Sequence, residues 1–310
     1  MKKEPLHVKV IRDSAKSLGY GFRKYDPEGA LHVVSKNGKE HLVNRSSTVK
    51  TSKISYILAD NKRMTVDTLS KFNIPVPKQK MVTTISQALF FFRKHKPIVV
   101  KPNKSSLGKG VTVGVKTLRD LSRAFKFAQK FDKRVLVEEF VPGDDYRVTV
   151  IDYKKVFVMQ RVPAFIVGDG KHDVEYLVKQ KNKIKLSYKR DIKIDSYTLL
   201  MLRRKGFTLD SIPALDETVY LRKAANIAEG GTSIDFTNKI SPELKALAIN
   251  ASKVLKLPCA GVDIMTEDIS SDKGVIIEVN PRPHVIIHHH PHVGVRRYPG
   301  QEILKMLFRR

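Results

Sequence analysis

The stretch Pro97–Lys116, PIVVKPNKSSLGKGVTVGVK, decides how the rest of the chain is read. Its first part is an apolar strand ending on Lys101. Val111, Val113 and Val115 supply a second strand beyond a loop that holds Gly108 and Gly110. Alternating apolar residues joined by a glycine-bearing connection predict a β-hairpin. The loop is basic, rich in serine and free of side-chain bulk at two positions, which suits laying backbone N–H groups over phosphates. It is not a G-x-x-x-x-G-K-[ST] loop, because Asn103 stands five places before Gly108 and Gly110 follows Lys109. An ordinary surface hairpin has the same local pattern, so the meaning of this one depends on what stands further along.

With 310 residues, 41% of them hydrophobic, the chain can bury a sizeable core in more than one lobe. No apolar run approaches the roughly 18 residues that span a membrane. The opening MKKEPLHVKV lacks the apolar centre of a signal peptide. The single cysteine, Cys259, excludes an internal disulfide, fits a reducing cytoplasm and reads as a small core hydrophobe. Fifty-eight Lys and Arg against 31 Asp and Glu leave a net charge of +27, which attracts polyanions: nucleic acid, nucleotides or acidic substrates. The lysines are spread along the chain, as on any solvated surface, and are densest between Lys171 and Lys205.

Residues 1–58 read as a short N-terminal α/β element, with helical spacing from Val8 to Leu18 and an Asn37-Gly38 hairpin in LHVVSKNGKEHLV. Asp60 is expected to cap a helix through Met64, Val66 and Leu69, with Lys62 at the unfavourable end of its dipole. Ile85–Phe92 is a helix whose three phenylalanines belong in a core. Thr117 caps another, with Leu118, Leu121, Phe125 and Ala128 on the buried face. In RVLVEEFVPGDDYRVTVI a buried strand runs into Glu138 and Glu139, turns at Pro142-Gly143 and resumes from Tyr146 to Ile151. Acids at the end of a buried strand are costly unless something uses them. An adenine amino group and a ribose diol would; acids rimming a turn are the plainer reading.

Val156–Val162 continues the sheet, with Arg161 near its end, and an irregular basic stretch follows. LRKAANIAEGGTSIDFT carries Arg222, Asn226, Gly230 and Gly231 on a loop suited to close ligand approach. Ser241-Pro242-Glu243 starts a helix. In GVDIMTEDISSDKGVIIEVNPRPH two apolar strands pair across a polar turn. Period two puts Glu278 and Asn280 on one face, and Asp263 falls near them if the strands pair. An Asp, a Glu and an Asn amide oxygen form a hard oxygen set suited to Mg²⁺. His288, His289, His290 and His292 are read on a strand, where successive side chains point to opposite faces, so they do not hold one metal ion.

Five stretches stand in order: IVVKPNKSSLGKGVTV, VLVEEFVPGDDYRV, RVPAFIVGDGKHDVEYLV, YLRKAANIAEGGTSID and GVDIM…VIIEVNPRP. Together they resemble the ATP-grasp superfamily. The likeness is greatest to the glutathione synthetase domain of bifunctional glutamate–cysteine ligase/glutathione synthetase and to the ATP-grasp region of cyanophycin synthetase. The resemblance implies an α+β class and the ATP-grasp fold, two α+β lobes gripping ATP. Residues 59–310 would form it: 59–145 as the nucleotide-gripping lobe, 146–310 as the substrate and metal lobe with a basic insertion at about 171–215.

By the same resemblance, Lys62 and Lys101 match the lysines on the nucleotide phosphates, and Ser105, Ser106, Gly108 and Gly110 lie in the phosphate-covering loop. Glu138 matches the acid at the adenine amino group, Glu139 and Val141 offer backbone groups to the base, and Asp145 holds the ribose. Arg147, Arg161 and Arg222, completed by Asn226 and Gly231, face the acyl phosphate or substrate carboxylates. Asp263, Glu278 and Asn280 match the metal ligands. ATP and Mg²⁺ are implied, two ions of it, with Mn²⁺ as a substitute. The activity implied is an ADP-forming carboxylate–amine ligase acting through an acyl phosphate on small amino-acid or peptide substrates. Lys223, Ala224 and Pro281-Arg282-Pro283 depart from those relatives on the substrate side. An acidic polymer or a peptide tail is the alternative substrate, and a nucleic-acid-binding protein on a vestigial ligase fold ranks last. Neither membrane nor nucleic acid is an expected partner; a homo-oligomer is compatible with the resemblance.

Overall fold

Asn37 and Gly38 both adopt positive φ, 46° and 74°, the left-handed pair that a tight two-residue hairpin turn requires. They join β2 (His32–Lys36) to β3 (Lys39–Asn44), as expected. The computed structural model describes residues 4–29, 31–104, 109–184, 191–223, 225 and 227–309. Ser105, Ser106, Gly108 and Asn226 lie outside the described residues, as do Ala224 and Lys185, Lys189 and Arg190 of the basic stretch. α1 (Leu6–Ser17) precedes the hairpin, and β1 (Gly21–Lys24) and β4 (Ser47–Thr48) extend it into an antiparallel sheet of order β1-β2-β3-β4. Ile11 and Ala15 of α1 meet Val34 and Val43 there, joined by Leu304 and Leu307 from the far end of the chain.

α2 (Lys53–Asp60) and α3 (Lys62–Lys71) follow. Asp60 ends α2 rather than capping α3. The cap is Asn61, whose side-chain oxygen accepts the Met64 N–H at 3.2 Å, because an extended residue was needed between two abutting helices. β5 (Gln79–Val82), α4 (Ile85–His95), β6 (Ile98–Pro102), β7 (Thr112–Val115), α5 (Leu118–Gln129) and β8 (Val135–Glu139) build a second antiparallel sheet, β5-β8-β6-β7. The glycine hairpin is its β6–β7 pair. Ile98, Val100, Val135 and Val137 face α4 and α5 in one core, so the residues between them, Val99, Lys101, Leu136 and Glu138, share the other face. Two expected core residues are outside it. Phe90 is exposed beneath the ammonium groups of Lys94 and Lys80, and Leu118 projects from the first turn of α5.

β9 (Asp144–Ile151), β10 (Lys155–Val162), β11 (Phe165–Val167), α6 (Val174–Lys183), α7 (Ser196–Arg204), β12 (Thr218–Tyr220), β13 (Thr232–Asp235), α8 (Pro242–Val254), β14 (Cys259–Thr266), β15 (Val275–Asn280), α9 (Ile286–His289) and α10 (Pro299–Leu307) complete the chain. A third sheet runs β13-β10-β9-β14-β15, and β11 pairs with β12. The chain divides into two compact units, residues 1–160 with 235–310, and residues 161–234. The second unit is not merely irregular: Ile166, Val174, Val178, Ile192, Leu202 and Leu221 give it a core of its own. His288 and His289 form a helical turn and not a strand, because the chain folds back so that Arg297 N–H reaches the His288 carbonyl at 2.8 Å.

That turn is buried. His288 Nε2 meets Thr149 Oγ1 at 2.8 Å, and the Gly300 N–H donates to His289 Nε2 at 3.2 Å. Burial, then the nearby positive charge of Arg147, holds the His288 ring well below its ordinary range. Burial, then His290, brings His289 to about 4. The unfolded chain therefore takes up protons below about pH 6.5 that the folded chain refuses, each at about 1.4 kcal/mol per pH unit. Stability is fully present above that pH and is lost as pH falls toward 4. The urea midpoint should follow this course, and His289→Gln should flatten it; an unchanged slope in the variant would dismiss the histidine as the cause.

Candidate active site

Tyr146, Val148 and Val150 of β9 pack into a core with Ala260, Val262 and Ile264 of β14, which leaves the alternate residues on the opposite face of the sheet. Across that face Arg147, Asp263 and Glu278 are successive cross-strand neighbours, and Thr149, Gly261 and Asn280 form the next row. The register depends on a bulge in β15. Glu278 pairs with Asp263 and Ile276 with Ile264, so Ile277 has no opposite residue. In a regular strand without the bulge Glu278 and Ile276 would share a face, and either the acid would enter the core or the isoleucine would enter the site.

Arg147 and Asp263 are both buried and paired through two hydrogen bonds, Nε to Oδ1 and Nη2 to Oδ2, the latter at 3.0 Å. The third nitrogen, Nη1, lies over Gly261, where a Cβ would stand 3.2 Å from Nη1 and 3.1 Å from Pro283. Glycine inside an apolar strand marks a close approach; here it makes room for the guanidinium. Glu278 has the Lys62 ammonium at 3.8 Å and is half open to solvent. The Asn280 side-chain nitrogen is buried without a hydrogen-bond partner. Among the described residues no three His, Cys, Asp or Glu side chains gather to hold a metal. The oxygen set is therefore two acids and an amide. Such a set suits a hard cation that draws its remaining ligands from water and phosphate oxygens.

On the second sheet, Lys101 and Glu138 sit on the face away from the helices, 2.6 Å apart and both almost fully buried. Gln79, opposite Glu138 in the register, donates to the Arg63 carbonyl at 3.3 Å. This fixes the first turn of α3, and with it Lys62, against the same face. The Glu139 N–H is taken by the Lys78 carbonyl at 2.9 Å, Val141 follows the strand end, and Asp145 stands opposite Met265 beside Arg147. Gly110 is buried at a φ of 76°.

Arg161, Arg222 and Gly231 belong to the second unit. Arg222 is buried and its donors are committed within that unit: to Asp195 at 2.8 Å, to the Lys193 and Leu221 carbonyls, and to Thr198 Oγ1, with Glu229 at 3.7 Å. Burial pushes the Asp195 carboxyl up, but the Thr198 backbone N–H and the Arg222 guanidinium outweigh it and hold the group below its ordinary value. Sequence reasoning missed Asp195, Gln79 and Gly261. Of these, only the glycine left a local signal.

Residues 59–285 match the ATP-grasp domain. The chain belongs to the ATP-grasp family. It is 37% identical over 294 residues to the glutathione biosynthesis bifunctional protein GshAB of Clostridium perfringens, covering 89% of this chain and 38% of that one. It is 34% identical over 276 residues to cyanophycin synthetase of a Nostoc species, covering 84% and 30%. The crystal structure of a bifunctional glutathione synthetase from Pasteurella multocida superposes with a TM-score of 0.74 at 30% identity, covering 98% of this chain and 44% of that one. The ATP-grasp chain thus spans less than half the length of these relatives. Its fold is the ATP-grasp fold that the five motifs imply.

Two substitutions test the local geometry. Lys101→Met strands Glu138 in a buried position and should cost about 3–5 kcal/mol in urea unfolding, most of it recovered in Lys101→Met/Glu138→Leu. A double variant as unstable as the single one would contradict the pairing. Gly261→Ala should displace Arg147, read as altered resonances of the Arg147 side chain with the far-UV spectrum unchanged.

Proposed function

We propose that this ATP-grasp chain is an ATP-dependent carboxylate–amine ligase that forms an amide or peptide bond through an acyl phosphate. The observation that supports it best is the face carrying Arg147, Asp263, Glu278 and Asn280, to which Lys62 is tied through Glu278. A carboxylate is a poor electrophile. Transfer of the γ-phosphoryl group of ATP to it makes an acyl phosphate, and an amine then displaces phosphate to leave an amide, ADP and phosphate. The protein's work in such a transfer is positioning and charge neutralisation.

In this reading Lys62 and Lys101 meet the nucleotide phosphates, and Ser105, Ser106, Gly108 and Gly110 cover them. Glu138 receives the adenine amino group, Glu139 and Val141 offer backbone groups to the base, and Asp145 holds the ribose. Arg147 neutralises the acyl phosphate, with Arg161, Arg222, Asn226 and Gly231 on the substrate side. Asp263, Glu278 and Asn280 would hold Mg²⁺, two ions or Mn²⁺ in their place, which neutralises the phosphate oxygens when bound.

The substrates in this proposal are small amino acids or peptides, and the location is the cytoplasm. Among the described residues no helix is long and apolar enough to cross a membrane. Cys259 is fully buried with its thiol pushed up to about 12 by burial, which leaves no cysteine nucleophile for a covalent route.

Phosphate release from ATP and Mg²⁺ should appear with a carboxylate and an amine drawn from a panel of amino acids, dipeptides and acidic polymers, together with the mass of a new amide. Lys101→Ala and Glu278→Ala should each lower it at least a hundredfold, and chelation of the metal should stop it. Turnover at the full rate in either variant would sink the assignment. A product seen only with a polymer would move the substrate to that class.

A further inference from the structure

Between Gln79 and Glu139 the chain holds fourteen Lys and Arg against four Asp and Glu. Four of those cations form a line. Arg119, Arg123, Lys126 and Lys130 follow the i, i+4, i+7, i+11 spacing that keeps residues on one side of a helix, and all four are exposed. The line runs for about 16 Å along α5 and its C-terminal cap. The other side of this helix is apolar, with Leu121, Ala124, Phe125 and Ala128 in the core between the helices and the sheet. Asp120, the one acid of α5, is held in the first turn by the Thr117 cap and stands off the line. Among the described residues the ion pairs formed within this sheet and its helices are Lys101–Glu138 and Arg134–Asp132, and neither involves the line.

Like charges one turn apart destabilise a helix, so the line is not explained by the stability of α5. The topology adds to the charge instead of offsetting it. β5 and β6 both pair antiparallel with β8, and β7 pairs antiparallel with β6, so the connecting helices α4 and α5 run in opposite directions. Arg93 and Lys94, exposed in the last turn of α4, therefore lie at the end where α5 begins with Arg119. At the other end the Gln129 side chain donates to the Thr83 carbonyl at 3.4 Å. Two rings flank the line there: Phe127 and Phe131 are each 44% exposed and meet edge to face at 5.5 Å. Lys101 and Glu138 are on the opposite face of the sheet, so this surface is separate from the candidate active site.

We propose that the outer face of α5, with the end of α4, binds single-stranded nucleic acid, as a partner in addition to the substrates of the ligase. The line of guanidinium and ammonium groups follows the phosphates, and Phe127 and Phe131 offer rings on which bases stack whatever their sequence. An acidic polypeptide matches the charge but leaves the rings unused. An anionic bilayer takes up the apolar side of a helix, and that side of α5 is turned into the core. The charge spread over the rest of the chain supplies attraction at a distance, and α5 supplies the place.

Fluorescence anisotropy of a labelled oligothymidylate of about 20 nucleotides, titrated with the full chain across a salt series, tests this. The wild-type chain should bind at about 0.1 M salt, and the logarithm of its affinity should fall steeply with the logarithm of the salt concentration. Arg119→Gln/Arg123→Gln/Lys126→Gln/Lys130→Gln should bind about a hundredfold more weakly at that salt and lose about 3 from the slope, roughly 0.7 for each phosphate contact. It should melt no lower than the wild type, because like charges have been removed. Phe127→Ala should bind about fivefold more weakly or worse with the slope unchanged, as expected for lost stacking. Lys171→Gln/Lys183→Gln/Lys193→Gln/Arg203→Gln, four exposed cations of the unit 161–234, should stay within about threefold of the wild type. No binding by the wild type, or an equal loss in both quadruple variants, would overturn the proposal. Polyaspartate that displaces the oligonucleotide at equal charge, with Phe127→Ala indistinguishable from the wild type, would overturn it in favour of an acidic polypeptide.

Discussion

A buried carboxylate must be paired, and the pairing of Asp263 with Arg147 sets the geometry on which the candidate site depends. Neither group can leave water alone without a penalty of several kcal/mol. Together they satisfy one another through two hydrogen bonds across adjacent strands, β9 and β14. A slip of one residue would send one member into the apolar core and break the pair, so the charges and the core enforce the same register. The pair also aims Arg147. With Nε and Nη2 held by Asp263, the remaining nitrogen can only lie over Gly261, toward Pro283.

The same logic recurs on the second sheet. Lys101 and Glu138 are nearly enclosed, and hydrophobic residues of equal size would cost nothing in desolvation. Keeping an ion pair there holds a cation and an anion at a chosen place away from water, where charges act on one another more strongly than in solvent. Lys62 joins this surface to the other sheet, since Asn61 caps α3 so as to start the helix on the lysine and Glu278 stands 3.8 Å from its ammonium. Its position at the wrong end of the helix dipole is explained by that partner and not by helix stability.

The net charge of +27 has a local counterpart. Most of the cations are solvated, but Arg45 and Arg282 meet two neutral histidines, His7 and His284, in a recess without acids, near Arg147. Arg222 shows the contrary case. It too is an arginine in a family motif, yet its donors are taken up by Asp195, Thr198 and backbone carbonyls within the unit 161–234. Arg147 and Arg222 thus differ in what remains of their hydrogen-bonding capacity.

The order of the motifs determined the family, and local patterns determined most elements. The Asn37-Gly38 turn, the Thr117 and Ser241 caps and the β14–β15 pair are all legible from neighbours in the chain, because a turn or a cap is satisfied within a few residues. The face shared by Glu278 and Asn280 was legible for the same reason. The tertiary structure alone decided that Asn61 and not Asp60 caps α3, that His288 and His289 form a helical turn, and that Phe90 lies outside the core. It alone brought Asp195 to Arg222 and His7 and Arg45 to Arg282. Those partners are separated by 27 residues in the first case and by more than 200 in the second, and burial, hydrogen bonding and charge at such separations are properties of the folded surface, not of any window of sequence.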